Sequence, residues 1–302
     1  VTKWSPAEDA LLRVLVEEKH LDSAEIAEHF RQEGIRRTQK AIQRYIARHK
    51  IRAKVPQSPV PPLQQLTVQG DFLLLFDIHS PLQDADWINR VMELALDMGI
   101  DSVGIGGDLV EFDAFSHFRR SEDYDIRDEL KTTRKLLSAL ANFDRVIFSP
   151  GNHEVRLSRK LNWLLPVDES MKLFLESPKV QMTSLHWFEV ISGGEKFRVE
   201  HPKNTSVHAA LIPQKLCSKF LCHIIAGHGH DWGLARDVSD HFWAIDAGCC
   251  LDPKRVDYCN REHSTRPVMK RGAVIVKDGI PLLLSPHNIQ YYEKTLDPKN
   301  PI

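Results

Sequence analysis

Long apolar runs are missing from this chain of 302 residues. Blocks such as Phe72-Leu73-Leu74-Leu75-Phe76 are strand-sized, well short of the roughly 18–20 apolar residues that a membrane-spanning helix needs, so no membrane partner is expected. Cysteine is scarce. The five present (Cys217, Cys222, Cys249, Cys250, Cys259) are an odd number without C-x-x-C spacing, which argues against a disulfide framework or a zinc knuckle and fits free thiols in a reducing compartment. No G-x-x-x-x-G-K-S/T segment occurs, so a P-loop motor is excluded, and His153-Glu154-Val155-Arg156-Leu157 lacks the second histidine of a zinc protease. The chain opens at Val1 without a basic-then-apolar leader, and a cytoplasmic location is expected. Net charge is also nearly absent, at 40 Lys+Arg against 41 Asp+Glu, whereas histidine, at 15 residues, is plentiful.

The charge balance hides a segregation. Residues 1–55 carry 12 basic and 8 acidic side chains, and residues 31–54 hold nine basic residues against the single acid Glu33. Four prolines within residues 56–62 forbid helix and favour an extended spacer, so the expected division is a domain at 1–55, a linker at 56–66 and a second domain at 67–302. Three helices are predicted in the first. Ser5-Pro6-Ala7-Glu8 is a start signal ahead of Leu11, Leu12, Leu15 and Val16; a second helix from Asp22 or Ser23 buries Ile26, Ala27 and Phe30 and ends at Gly34; a third from Thr38 buries Ala41, Ile42, Tyr45 and Ile46. The segments Trp4-Ser5-Pro6-Ala7-Glu8-Asp9, Ser23-Ala24-Glu25-Ile26-Ala27 and Thr38-Gln39-Lys40-Ala41-Ile42 resemble a Myb/SANT-type helix-turn-helix. That resemblance implies nucleic-acid contacts, DNA ahead of RNA, from Gln39, Lys40, Gln43, Arg44 and Arg48. Basic side chains supply phosphate affinity while Gln and Arg can read base edges. A protein-docking bundle with a solvated basic face is the alternative.

Beyond the linker, strand and helix patterns alternate as βαβαβ, and polar clusters follow the apolar strands. Asp77-Ile78-His79 follows Asp71–Phe76; Gly107-Asp108 follows Ser102–Ile105; Gly151-Asn152-His153-Glu154 follows Arg145–Phe148; Gly227-His228-Gly229-His230 follows Cys222–Ala226. In such a sheet, ligands bind beyond the carboxyl ends of the strands. Each cluster alone is ordinary turn chemistry, but four in order, all carrying oxygen or nitrogen donors, form a metal site. A last hairpin is expected around Lys277-Asp278-Gly279, within a terminal extension packed on the sheet.

The ordered set D-x-H, G-D, G-N-H-E, H, G-H-x-H resembles the calcineurin-like metallophosphoesterase superfamily, and the segments 107–118 and 151–157 resemble its phage and prophage members. The resemblance implies a four-layer α/β/β/α sandwich preceded by the three-helix domain. It implies two divalent ions, Mn²⁺ first, with Fe, Zn²⁺ or Ni²⁺ also suited to the donors. Asp77, His79, Asp108 and His230 would hold one; Asp108, Asn152, His201 and His228 would hold the other. His186 and His208 compete with His201, which is followed by Pro202 where family members usually carry Gly. A hydroxide generated between the ions would be the nucleophile, His153 would protonate the leaving oxygen and Glu154 would orient it. Arg119, Arg156 and His117 are candidate substrate contacts. The expected activity is phosphodiester hydrolysis in DNA, by a nuclease or end-processing enzyme tethered through its helix-turn-helix. A small-molecule phosphomonoesterase or cyclic-nucleotide phosphodiesterase is the first alternative, and a DNA-bound non-enzymatic regulator the second.

Overall fold

The computed structural model describes residues 4–19, 21–51, 65–116, 125–175, 179–256 and 269–296. The proline-rich segment, His117, Arg119 and Cys259 lie outside the described residues. Two compact units are present, one carrying the first three helices and the other carrying both sheets.

In the helical unit, α1 (Pro6–Arg13) starts in a capping box: Ser5 Oγ accepts from the Glu8 amide at 3.2 Å and the Glu8 carboxylate from the Ser5 amide at 2.7 Å. A π-helical turn over Val14–Glu18 carries the chain on. The cap of α2 (Ser23–Gln32) is Asp22, whose carboxylate accepts from the amides of Ala24 and Glu25, and Thr38 caps α3 (Gln39–His49). Leu12, Leu15, Ile26, Phe30, Ile42 and Ile51 close the core. Glu8 also receives Arg37 through two contacts of 2.8 and 2.9 Å, and the Arg37 guanidinium lies 4.7 Å over the Trp4 ring.

The second unit follows the predicted alternation. Its elements are β1 (Thr67–Gln69), β2 (Phe72–Leu75), α4 (Ala85–Asp97), β3 (Ser102–Gly106), α5 (Ile126–Leu140), β4 (Arg145–Ser149), α6 (Asn152–Lys160), α7 (Val167–Leu175) and β5 (Val180–Met182). They continue with β6 (Trp187–Ser192), β7 (Glu195–Glu200), α8 (Leu211–Phe220), β8 (His223–Ala226), β9 (Trp232–Arg236), β10 (Trp243–Ala247), β11 (Ala273–Lys277), β12 (Ile280–Leu284) and α9 (Ile289–Leu296). Among the described residues they form two six-stranded sheets, ordered β12-β11-β2-β3-β4-β5 and β1-β6-β7-β8-β10-β9.

Alternate residues of the two sheets meet in one core: Phe72, Leu74, Ile147 and Val274 from the first, Phe188, Val190, Phe197, Val199, Ile225 and Ile245 from the second. The intervening residues face outward, where α4 packs on β2 and α8 covers β8 and β10 through Cys217, Ile224, Ala226 and Ala244. The architecture is therefore α/β/β/α, and strands such as β2 are buried on both faces. Glycines in β3 accommodate the large core rings. A Cβ on Gly106 would come within 2.1 Å of Phe76, and one on Gly104 within 2.7 Å of Phe188.

The terminal hairpin differs from its expectation. It does not pack on the sheet but extends it: β11 pairs antiparallel with β2, Val274 opposite Leu74, and β12 forms the edge. Ala273–Val276 are all buried, apolar on both faces as an interior strand requires. Strands β2, β3 and β4 run parallel, as do β7 and β8, so the polar clusters at their carboxyl ends gather at one place.

Candidate metal centre

The loops that leave these strands bend within one or two residues, and the strain falls on the functional side chains themselves. Asp77 (φ 49°), His79 (φ 49°), Asp108 (φ 51°), His228 (φ 71°) and His230 (φ 54°) all occupy the left-handed region. Asp and His tolerate it better than most residues, yet each such position costs of order 1–3 kcal/mol and persists only where its surroundings impose it. The motif glycines are needed for space more than for turning. Only Gly107 is left-handed. A Cβ on Gly151 would stand 2.1 Å from Asp108 Oδ1, and one on Gly227 would stand 2.6 Å from Asp77 Oδ2. These glycines leave room for a neighbouring motif's carboxylate. Gly229 meets no such crowding.

Asp77, His79, Asp108 and His201 are almost wholly buried, and their donor atoms converge in two groups. Asp77, His79 and His230 form one; Asp108, His201 and His228 form the other; a further combination places Asp108 with His79 and His153. In the first group, His230 Nε2 lies 3.1 Å from Asp77 Oδ1 and 3.3 Å from His79 Nε2, which is 3.8 Å from Asp108 Oδ2. In the second, His201 Nε2 lies 3.1 Å from Asn152 Oδ1 and 3.3 Å from Asp108 Oδ2. Asp108 therefore stands between the groups. Of the competing histidines, His186 turns Nδ1 toward the Pro150 carbonyl at 2.9 Å and the exposed His208 stays in its loop, so His201 is the one brought to the cluster.

The donor set fits a divalent cation. The His201 Nδ1 lies 3.1 Å from the Gly106 carbonyl, an obligate acceptor, so that nitrogen carries the N–H and Nε2 presents a lone pair to Asn152 and Asp108. His79 Nδ1 likewise faces the Glu111 carboxylate at 2.7 Å, turning its Nε2 lone pair inward. Electron pairs thus face electron pairs, an arrangement that positive charge must bridge, and mixed imidazole, carboxylate and amide donors suit borderline divalent metals. With protons alone to supply that charge, the histidines take it up. Burial works against charge on His79 and His201, but Glu111 beside the one and Asp108 beside the other outweigh it; His79 is raised well above 6.5 and His201 to about 9. Burial equally opposes ionisation of Asp77 and Asp108, and the facing histidines hold both carboxyls below their usual range.

Two carboxylates, Glu154 and Glu111, have roles that the sequence did not show. Glu154 does not orient His153: its oxygens accept from the backbone amides of Asp108 (3.1 Å), Val110 (3.1 Å) and Gly151 (2.6 Å), tying two motif loops together. Burial and the nearby Asp108 push Glu154 up to about 7 against those three bonds. Glu111, to which the sequence assigns no role, fixes both histidines of the pair: its carboxylate meets His79 and its carbonyl meets His153 Nδ1 at 2.7 Å. The available signal was an acidic residue three positions beyond Asp108. Burial is the main cause that pushes His153 down to about 4, and its Nε2 lies 2.9 Å from an Arg156 amino group.

On α3, Lys40, Arg44 and Arg48 stand at i, i+4 and i+8, all exposed and without an ion-pair partner among the described residues. Gln39 and Gln43 are also exposed, but both donate to Ser23 Oγ, at 3.2 and 3.0 Å, bracing α3 against α2.

No family model and no curated protein sequence matches the chain. Among solved structures, the E. coli phosphoesterase Yfce is 16% identical with a TM-score of 0.41, covering 72% of this chain and 93% of that one. Wild-type Vps29 of Entamoeba histolytica complexed with Zn²⁺ is 13% identical with a TM-score of 0.35, covering 71% and 97%. Vacuolar protein sorting 29 of Cryptosporidium parvum is 14% identical with a TM-score of 0.36, covering 71% and 95%.

Proposed function

We propose that the chain is a metal-dependent phosphoesterase with two cation sites sharing Asp108. The observation that carries this reading is the convergence of electron-pair donors from five loops on either side of that one carboxylate. Asp77, His79, Asp108 and His230 would hold one cation, and Asp108, Asn152, His201 and His228 the other. Bound there, the cations supply Lewis acidity toward phosphate oxygens and lower the pKa of a water. The chain's own residues do the rest: Glu111 and the Gly106 carbonyl hold the two histidines in the tautomer that points Nε2 inward, and Glu154 locks the loops of Asp108 and Asn152 in register.

Within that class we infer phosphodiester cleavage in nucleic acid, DNA ahead of RNA. The supporting observation is the exposed basic stripe of Lys40, Arg44 and Arg48 along one face of α3, without an ion-pair partner among the described residues. Labelled single-stranded DNA, duplex DNA and RNA, incubated with the Mn²⁺-loaded protein beside bis(4-nitrophenyl) phosphate, test both levels. Cleavage of DNA supports the full reading. Turnover of the small diester with all three polymers intact would leave a small-molecule phosphoesterase, and no turnover of anything would refute the enzyme.

A further inference from the structure

His153 is held from both sides. Its Nδ1 faces the Glu111 carbonyl at 2.7 Å, a group that only accepts, and its Nε2 faces an Arg156 amino group at 2.9 Å, a group that only donates. One arrangement satisfies both: the N–H on Nδ1 and a lone pair on Nε2. That Nε2, 3.8 Å from Asp108 Oδ2, is where the guanidinium is received.

Arg156 is the cation at that point. It lies one helical turn along α6 from Asn152 and His153, on the same face, and its side chain is only 17% exposed. A second amino group donates to the Glu111 carbonyl at 2.8 Å. Among the described residues its nearest carboxylate oxygen, on Glu111, stays at 3.7 Å, in contrast to Arg37 and Arg90, each locked to a glutamate by two close contacts. A guanidinium has five N–H groups, and these contacts use two. The charge is fixed in place, and among the described residues three donors are left over.

We infer that Arg156 is the group that contacts the substrate, donating to a non-bridging oxygen of an anionic phosphate ester, and that His153 is a positioning residue that accepts one N–H and aims the guanidinium. This rests on the phosphoesterase reading and adds the charge that the substrate must bring. The contact is a hydrogen bond, so no covalent bond forms or breaks on Arg156.

The full-length Mn²⁺-loaded protein is compared with Arg156→Ala, Arg156→Lys, His153→Ala and the double Ala variant. Calorimetry measures inorganic phosphate binding, and kcat and KM are determined separately on bis(4-nitrophenyl) phosphate. Loss of a charge-assisted hydrogen bond predicts phosphate affinity weakened about 10–100-fold in Arg156→Ala, with KM raised and metal content unchanged. Added methylguanidinium should restore part of the activity, and the double variant should be no worse than Arg156→Ala alone. Unchanged phosphate affinity and KM in a metal-loaded Arg156→Ala protein would overturn the inference while leaving the phosphoesterase reading intact. So would His153→Ala cutting kcat equally with or without Arg156. A wild-type protein that hydrolyses no phosphate ester but binds phosphate through Arg156 would have the opposite outcome: the activity reading fails and the contact stands.

Discussion

The Glu111 carboxylate lies 2.7 Å from His79 Nδ1, and the backbone carbonyl of the same residue holds His153. One residue outside the ligand set thus fixes the tautomer of a candidate ligand and the ring of its neighbour. Partners of this kind typically contribute 10–100-fold to metal affinity. Glu111→Gln should weaken cation binding by about that factor, measured by competition with a chromogenic chelator. The fold should survive, since the amide keeps the size of the side chain. Unchanged affinity would remove Glu111 from the site.

His201 makes the apo-protein and the loaded protein respond oppositely to pH. Burial opposes its charge, but Asp108 holds its pKa up to about 9 against 6.5. A raised histidine contributes stability that is fully present below pH 6.5 and is lost as pH rises through about 9. Cations compete with that proton, so their affinity should rise across the same window, with proton release. Melting curves of chelator-treated protein should show Tm falling from pH 6.5 to 9, while titrations with Zn²⁺ in buffers of different ionisation enthalpy show tighter binding and released protons. A pH-independent metal affinity would contradict the assignment.

The glycines divide into two kinds, and alanine separates them. In Gly151→Ala the new methyl group meets Asp108 Oδ1, whereas in Gly229→Ala the nearest atom is 3.8 Å away. Gly151→Ala should lose metal binding and cost about 1–3 kcal/mol of stability through overpacking. Gly229→Ala should retain both. Metal content and denaturant unfolding read the difference, and equal behaviour of the two variants would refute the space argument.

Changing Lys40, Arg44 and Arg48 together to Ala should weaken DNA binding and flatten its salt dependence, by up to about 3 in the log–log slope if each side chain neutralises one phosphate. Metal content should not move. Fluorescence anisotropy at several salt concentrations measures this, and an unchanged slope would mean that α3 does not face nucleic acid.

Much of this arrangement was readable in the sequence, for a physical reason. Apolar strands ending in Asp, His or Gly-Asn-His register locally, so Asp77, Asp108, Asn152 and His228 could be placed at strand ends without any long-range information. Side-chain direction could not be read. Glu154 and Glu111 are both acids beside histidines in sequence or space, and only the fold decides that the first turns to backbone amides and the second to His79. The same holds for Gln39 and Gln43, whose helix face was predictable but whose hydrogen bonds to Ser23 depend on where α2 crosses. The pairing of β11 with β2 joins residues 200 positions apart, beyond the reach of periodicity.

The most direct test of two cation sites joined at Asp108 is metal stoichiometry together with turnover, in the wild type and in Asp108→Asn. Chelator-stripped wild-type protein titrated with Mn²⁺ should recover hydrolysis of bis(4-nitrophenyl) phosphate as it takes up two ions per chain, and Asp108→Asn should bind weakly at both sites and stay inactive. A wild-type chain that takes up no metal, or an Asp108→Asn protein with undiminished turnover, would contradict the account.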